Sequence, residues 1–179
     1  MTFKNIRFVT DSTCDIPLDL VKKWNIGVVP TFINYGGKSF ADDGVEFDRV
    51  AYYNQLPTMP AQPTTAAPPP ALAEKVIRQS FEGADHLILI TAPAALSGIY
   101  NAFRLAASNF PADQMTLVDS GTLSMGLGWQ VLIGAEVAAE TGDVQQVLSA
   151  MDRVRAYQQV YALPATMEYL RRSGRLSWA

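Results

Sequence analysis

From residue 71 to residue 140 the chain alternates between helix-spaced and continuous apolar segments, and this alternation restricts the fold more than any single motif does. The spacing predicts helices over 71–82, 97–108 and 122–140, with strands over 86–91 and 115–119 between them. Strands that alternate with helices assemble into a parallel sheet with helices packed against it. Upstream, residues 6–10 read as a first strand that ends in Asp11-Ser12-Thr13, and Ile16, Leu20, Val21 and Trp24 fall at helical spacing over 16–24. Residues 27–35 are β-rich, Gly36-Gly37 marks a turn, and 38–41 returns as a short strand, which predicts a hairpin. Further helices are expected over 47–56 and over 143–157, the latter capped by Asp143 and striped with Val144, Val147, Leu148, Met151, Val154 and Tyr157. A strand is expected over 160–163 and a last helical turn or two over 167–172, before Gly174. The expected class is α/β, a mainly parallel sheet flanked by helices with a β-hairpin extension, in one domain over residues 1–179.

Charge and cysteine content remove several functions. The 14 basic and 17 acidic residues leave a net charge of −3, which offers nucleic acid or an anionic membrane no general attraction. One cysteine, Cys14, allows no internal disulfide, and with His86 as the lone histidine no conventional zinc site forms from Cys and His ligands. The most apolar long stretch, 123–139, is broken by Gly126, Gly128, Gln130, Gly134 and Glu136, short of the roughly 20 apolar residues a membrane span needs. A cytoplasmic protein without stable membrane insertion is expected, and neither a metal nor a cofactor.

Ligands of open parallel sheets collect at the carboxyl ends of the strands, here Thr10-Asp11-Ser12-Thr13, Thr91-Ala92-Pro93-Ala94 and Asp119-Ser120-Gly121. Small and hydroxyl residues beside helix starts suit an anionic head group, and they equally serve as helix caps. Between residues 57 and 70 six prolines exclude a helix, leaving either a plain linker or a stiff loop that holds Thr64 and Thr65 at a site. Other chemistry has weaker support. His86 opens its strand and Ser97 lies beyond the other end, about five steps of roughly 3.3 Å away, so the two do not form a nucleophile and base, and His86 is expected at the surface. Cys14 at a strand end is an activated thiol or a small packing residue. Gly126-Leu127-Gly128 lacks the third glycine of a dinucleotide fingerprint. Asp42, Asp43 and Glu46 are a hard-cation set or a solvated loop, and Arg171, Arg172 and Arg175 are a phosphate contact or an exposed helix end.

Five segments carry a family likeness: VTDSTCDIP (9–17), PTTAAPPP (63–70), LITAPAALSGIYNAF (89–103), VDSGTLSMGLG (118–128) and MEYLRRSGRLS (167–177). In this order they resemble the DegV family, bacterial fatty-acid-binding proteins that serve a fatty acid kinase. The resemblance implies a non-catalytic protein that buries the chain of a fatty acid such as palmitate, stearate or oleate and presents its carboxylate to a separate kinase, which makes an acyl phosphate for phospholipid synthesis. It also implies a smaller second domain, absent from this sequence, leaving an apolar surface that a homodimer could cover. The family's carboxylate-binding threonine falls on Thr65. Its partner serine falls on Ala94, where only a backbone N–H remains, a loss worth about 1.5–3 kcal/mol of carboxylate binding. Ser97 and Gly98 keep the end of that motif, and Arg175 matches an arginine near the head group. With Ser12 and Ser120 these residues make the expected head-group end, and Phe32, Ile33, Met125 and Tyr161 the expected tunnel wall. Two rival readings stand beside this one: a small hydrolase using Cys14 or Ser97, and a divergent fragment without a ligand.

Overall fold

A computed structural model describes residues 5–45 and 47–176. Its central layer is a parallel sheet built from β1 (Ile6–Asp11), β2 (Gly27–Val29), β6 (His86–Thr91) and β7 (Met115–Asp119), in the order β2-β1-β6-β7. The two central strands are apolar on both faces, as strands covered by helices must be. Alternation then divides the core. Phe8, Ile88 and Ile90 meet helices α1 (Leu18–Lys23), α5 (Met125–Thr141) and α6 (Val144–Tyr157) on one face. Val9, Leu87 and Leu89 meet α3 (Pro70–Phe81) and α4 (Ile99–Ala107) on the other.

The β-rich stretch 27–35 is not one strand. Pro30 interrupts it, so that Gly27–Val29 joins the parallel sheet while β3 (Phe32–Tyr35) enters a second, antiparallel sheet with β4 (Lys38–Ala41). The third strand of that sheet comes from the proline-rich segment: β5 (Thr64–Ala66) pairs with β3, Thr65 opposite Ile33. Residues 57–70 are therefore more than a linker. Helix α2 (Arg49–Gln55) meets this small sheet through Tyr52, whose ring lies 5.5 Å from that of Tyr35; Tyr35 also stacks on Phe40 of β4 at 4.7 Å, and Phe47, just before the helix, tilts against Tyr52 at 5.0 Å.

Two expectations need correction. Residues 160–163 form no strand, because no neighbouring strand pairs with them; Tyr161 and Leu163 stand 86% and 100% exposed. His86 is buried, not at the surface, and its Nε2 shares a 2.9 Å hydrogen bond with Thr116 Oγ1 of the neighbouring strand. The short α7 (Glu168–Arg172) follows, and α6 begins at the predicted cap, where Asp143 accepts from the N–H groups of Gln145 and Gln146. Among the described residues no helix is long and apolar enough to cross a membrane.

Candidate functional site

The three predicted strand ends lie side by side, since β1, β6 and β7 are consecutive in the sheet. Asp11 ties two of them together. Its Oδ2 accepts from Ala92 N at 2.8 Å and its Oδ1 from Thr13 N at 3.0 Å, so one carboxylate fixes the turns after β1 and β6. Burial outweighs these bonds and raises its pKa above the ordinary 3.8. Ser12 joins the layers: its Oγ accepts from Thr31 N and shares a second bond with Thr31 Oγ1, both at 3.0 Å, in the link between β2 and β3.

Thr65 stands on the exposed strand β5, and Arg175 reaches it from beyond α7, Nη2 donating to Thr65 Oγ1 at 3.3 Å. A hydroxyl that accepts from arginine keeps its own hydrogen to donate, so hydroxyl and guanidinium together offer donors to an anion. The start of α4 is close by: a Cβ added at Gly98 would lie 3.7 Å from the Ala67 Cβ, and Ser97 Oγ accepts from Ile99 N at 3.4 Å. Directly across the ladder, Ile33 lines a hollow of about 290 Å³ with Ser12, Phe47, Tyr53 and Leu123. A second hollow, of about 380 Å³, is lined by Ile16, Val21, Val28 and Pro30 among others.

Other predicted residues are placed differently. The Ala94 N–H is already engaged, donating to Asp119 Oδ2 at 3.1 Å, so it does not stand free for a ligand. Ser120 is fully buried and saturated: Oγ donates to the Thr122 carbonyl at 2.8 Å, and its own carbonyl accepts from Gln130 at 3.2 Å. Tyr161 lies with Ser120 and Arg155 in a separate open cleft, too exposed to enclose a tail. Phe32 is turned to the opposite face of β3 from Ile33, and Met125 packs against the core beneath α5. Sequence reasoning missed Thr31 and Arg49. Asp42 is held by Arg49, Glu46 of the acidic trio lies outside the described residues, and no cluster of three metal-ligating side chains occurs among the described ones. Burial pushes the Cys14 thiol up to about 11, the reverse of an activated nucleophile.

The family model for DegV, described as an uncharacterised protein family, matches residues 5–179. The chain belongs to the DegV family. Among curated relatives of this DegV chain, a DegV domain-containing protein of Deinococcus radiodurans is 30% identical over 175 residues, covering 98% of this chain and 62% of the relative. One from Caldanaerobacter subterraneus is 32% identical over 174 residues, covering 97% and 61%. This DegV chain thus spans about three fifths of the length of these relatives. A solved structure described as fatty acid binding of a DegV family protein from Thermus thermophilus matches it with a TM-score of 0.86 at 34% identity, over 96% of this chain and 60% of that one.

Proposed function

We propose that this DegV protein binds a long-chain fatty acid without reacting with it, the carboxylate held by Thr65 and Arg175 and the chain laid into the hollow beside Ile33. The observation that carries this reading is the ladder pair Thr65 and Ile33, which sets the Thr65 hydroxyl with its Arg175 partner across from a hollow that Ile33, Phe47, Tyr53 and Leu123 line together with polar side chains. Palmitate, stearate and oleate are suitable guests. The relative from Thermus thermophilus, described by its fatty acid binding, supports the ligand class. Protonated Cys14 and the role of Ser97 at the start of α4 support a binding role over a hydrolytic one. In the same reading residues 1–179 are one ligand-holding domain in the cytoplasm, a separate fatty acid kinase acts on the presented carboxylate, and a second copy of the chain covers the exposed apolar residues after α6. The family resemblance supports the kinase.

The test is extraction of the purified protein with organic solvent and quantitation of the acid by mass spectrometry. The wild type is expected to yield close to one acid per chain. Thr65→Val removes one hydrogen bond to a charged group and lowers affinity by about ten- to a hundredfold. Unchanged occupancy in that variant overturns the assignment.

A further inference from the structure

Two arginines fasten α7 to the segment that carries Thr65. Arg172 Nη1 donates to Gln62 Oε1 and Arg175 Nη2 to Thr65 Oγ1, both at 3.3 Å and both across 110 residues of sequence. Gly174 makes this possible. With φ at +72° it ends the helix in a Schellman turn, Gly174 N donating to the Arg171 carbonyl and Arg175 N to the Leu170 carbonyl at 3.1 Å each, and Arg175 leaves the turn within reach of β5. Within α7, Glu168 pairs with Arg172 one turn away and so orients the other guanidinium. Tyr169 shares the face of Arg172: burial first, and then the nearby Tyr53, Tyr35 and Tyr169, raise the pKa of Tyr52, which sets α7 beside the aromatic side chains of the small sheet. Residues 159–167, ahead of the helix, are exposed and form neither helix nor strand. Five residues are too few for a helix that persists alone in water, so α7 depends on these side-chain contacts for its place.

We infer that α7 is a strap that closes over the head group of the bound acid, an inference that rests on the fatty-acid reading above. In the free chain the Arg175 guanidinium meets a neutral hydroxyl through one long hydrogen bond. A carboxylate seated between them accepts from both, and its bonds to the guanidinium are charge-assisted and form in pairs. The anion therefore ties β5 to α7 more firmly than the two are tied without it. A ligand that binds only while the strap is docked shifts the strap towards the docked state by the factor 1 + [L]/Kd. The strap then opens less often in the loaded protein than in the empty one.

Trypsin reads the strap directly, because Arg171, Arg172 and Arg175 are its cleavage sites and proteolysis of this kind follows the population of the open form. The delipidated chain is digested briefly with and without hexadecanoate, the bound acid being counted by mass spectrometry in the same samples. A short arginyl peptide in each tube shows that the acid leaves trypsin itself unaffected. With hexadecanoate at about ten times its Kd, cleavage between 171 and 176 is expected to slow about tenfold. Bound acid with unchanged cleavage overturns the strap and leaves the binding reading standing. If the chain captures no acid, the binding reading fails and the strap falls with it. Gln62→Ala removes one latch without touching Thr65 or Arg175. It is expected to speed cleavage of the ligand-free chain about two- to fivefold, with hexadecanoate still protecting. A ligand-free rate equal to that of the wild type overturns the latch.

Discussion

His86 shows how a single buried side chain couples the sheet to pH. Burial between β6 and its surroundings holds its pKa below the ordinary 6.5, opposed in part by the backbone of Asp113. As pH falls through 6.5 the unfolded chain takes up a proton that the folded chain does not, so the stability His86 contributes is complete above 6.5 and is lost as pH falls towards its lowered folded value. Urea melts at pH 7.5 and pH 5.0 should therefore show a larger fall in midpoint for the wild type than for His86→Gln, which retains a partner for Thr116; equal falls would contradict this. Thr10 and Asp11 have the opposite character. The Thr10 hydroxyl is buried without a hydrogen-bond partner, and the Asp11 carboxylate is buried with three donors, so polar groups are concentrated at the end of β1, beside Ser12 and the hollows.

At the level of elements, α5 explains why a helix carries three buried glycines. A Cβ at Gly128 would lie 2.6 Å from the Cys14 carbonyl oxygen, and one at Gly134 would lie 2.7 Å from the Phe8 ring, so the helix can approach β1 and its turn only without side chains there. Gly128→Ala gains about 1 kcal/mol of helix propensity but forces an approach to a backbone atom that cannot rotate away, a cost of about 1–3 kcal/mol. A net loss of about 1 kcal/mol is expected, measured as a lower urea midpoint; a more stable variant would refute the close-packing account. Gly126 and Gly128 share two positions with a dinucleotide fingerprint, and their place inside the helical pattern over 122–140 is the readable sign that they serve packing. Apolar periodicity exposed the parallel sheet because β6 and the helices around it bury whole faces. It could not reveal β5, since Thr64, Thr65 and Ala66 are exposed and owe their conformation to the ladder with β3. Nor could it foresee that 160–163 lacks a strand partner, because a β-prone run is silent about pairing. The motif resemblance placed Thr65 and Arg175 near one another, whereas Arg49 escaped notice because its carboxylate partners are 7 and 34 residues away in sequence.

For the molecule as a whole, two sheets of different construction share one seam, joined by Ser12 to Thr31 and by Arg49 to Asp15. The described residues beyond this seam leave Tyr157, Tyr161 and Leu163 between 86% and 100% exposed. Large apolar side chains exposed in this way favour association in water where they gather into a patch. Light scattering is expected to give a mass that rises above 19.5 kDa with concentration, and replacing both Tyr161 and Leu163 with Ser should return the monomer value; a concentration-independent 19.5 kDa mass for the wild type would exclude the second copy as the cover. The bracing of β5 by prolines on either side has a separate effect on how a guest comes and goes. Pro63 precedes this strand and Pro68, Pro69 and Pro70 follow it, stiffening the chain at both ends of the strand, while the ladder with β3 fixes Thr65 itself opposite Ile33. Were a fatty acid bound as proposed, capture at that hydroxyl would entail little further ordering of β5, and the motion admitting or releasing its tail would fall to the opposite bank of the seam, where side chains and not the backbone ladder hold the walls together.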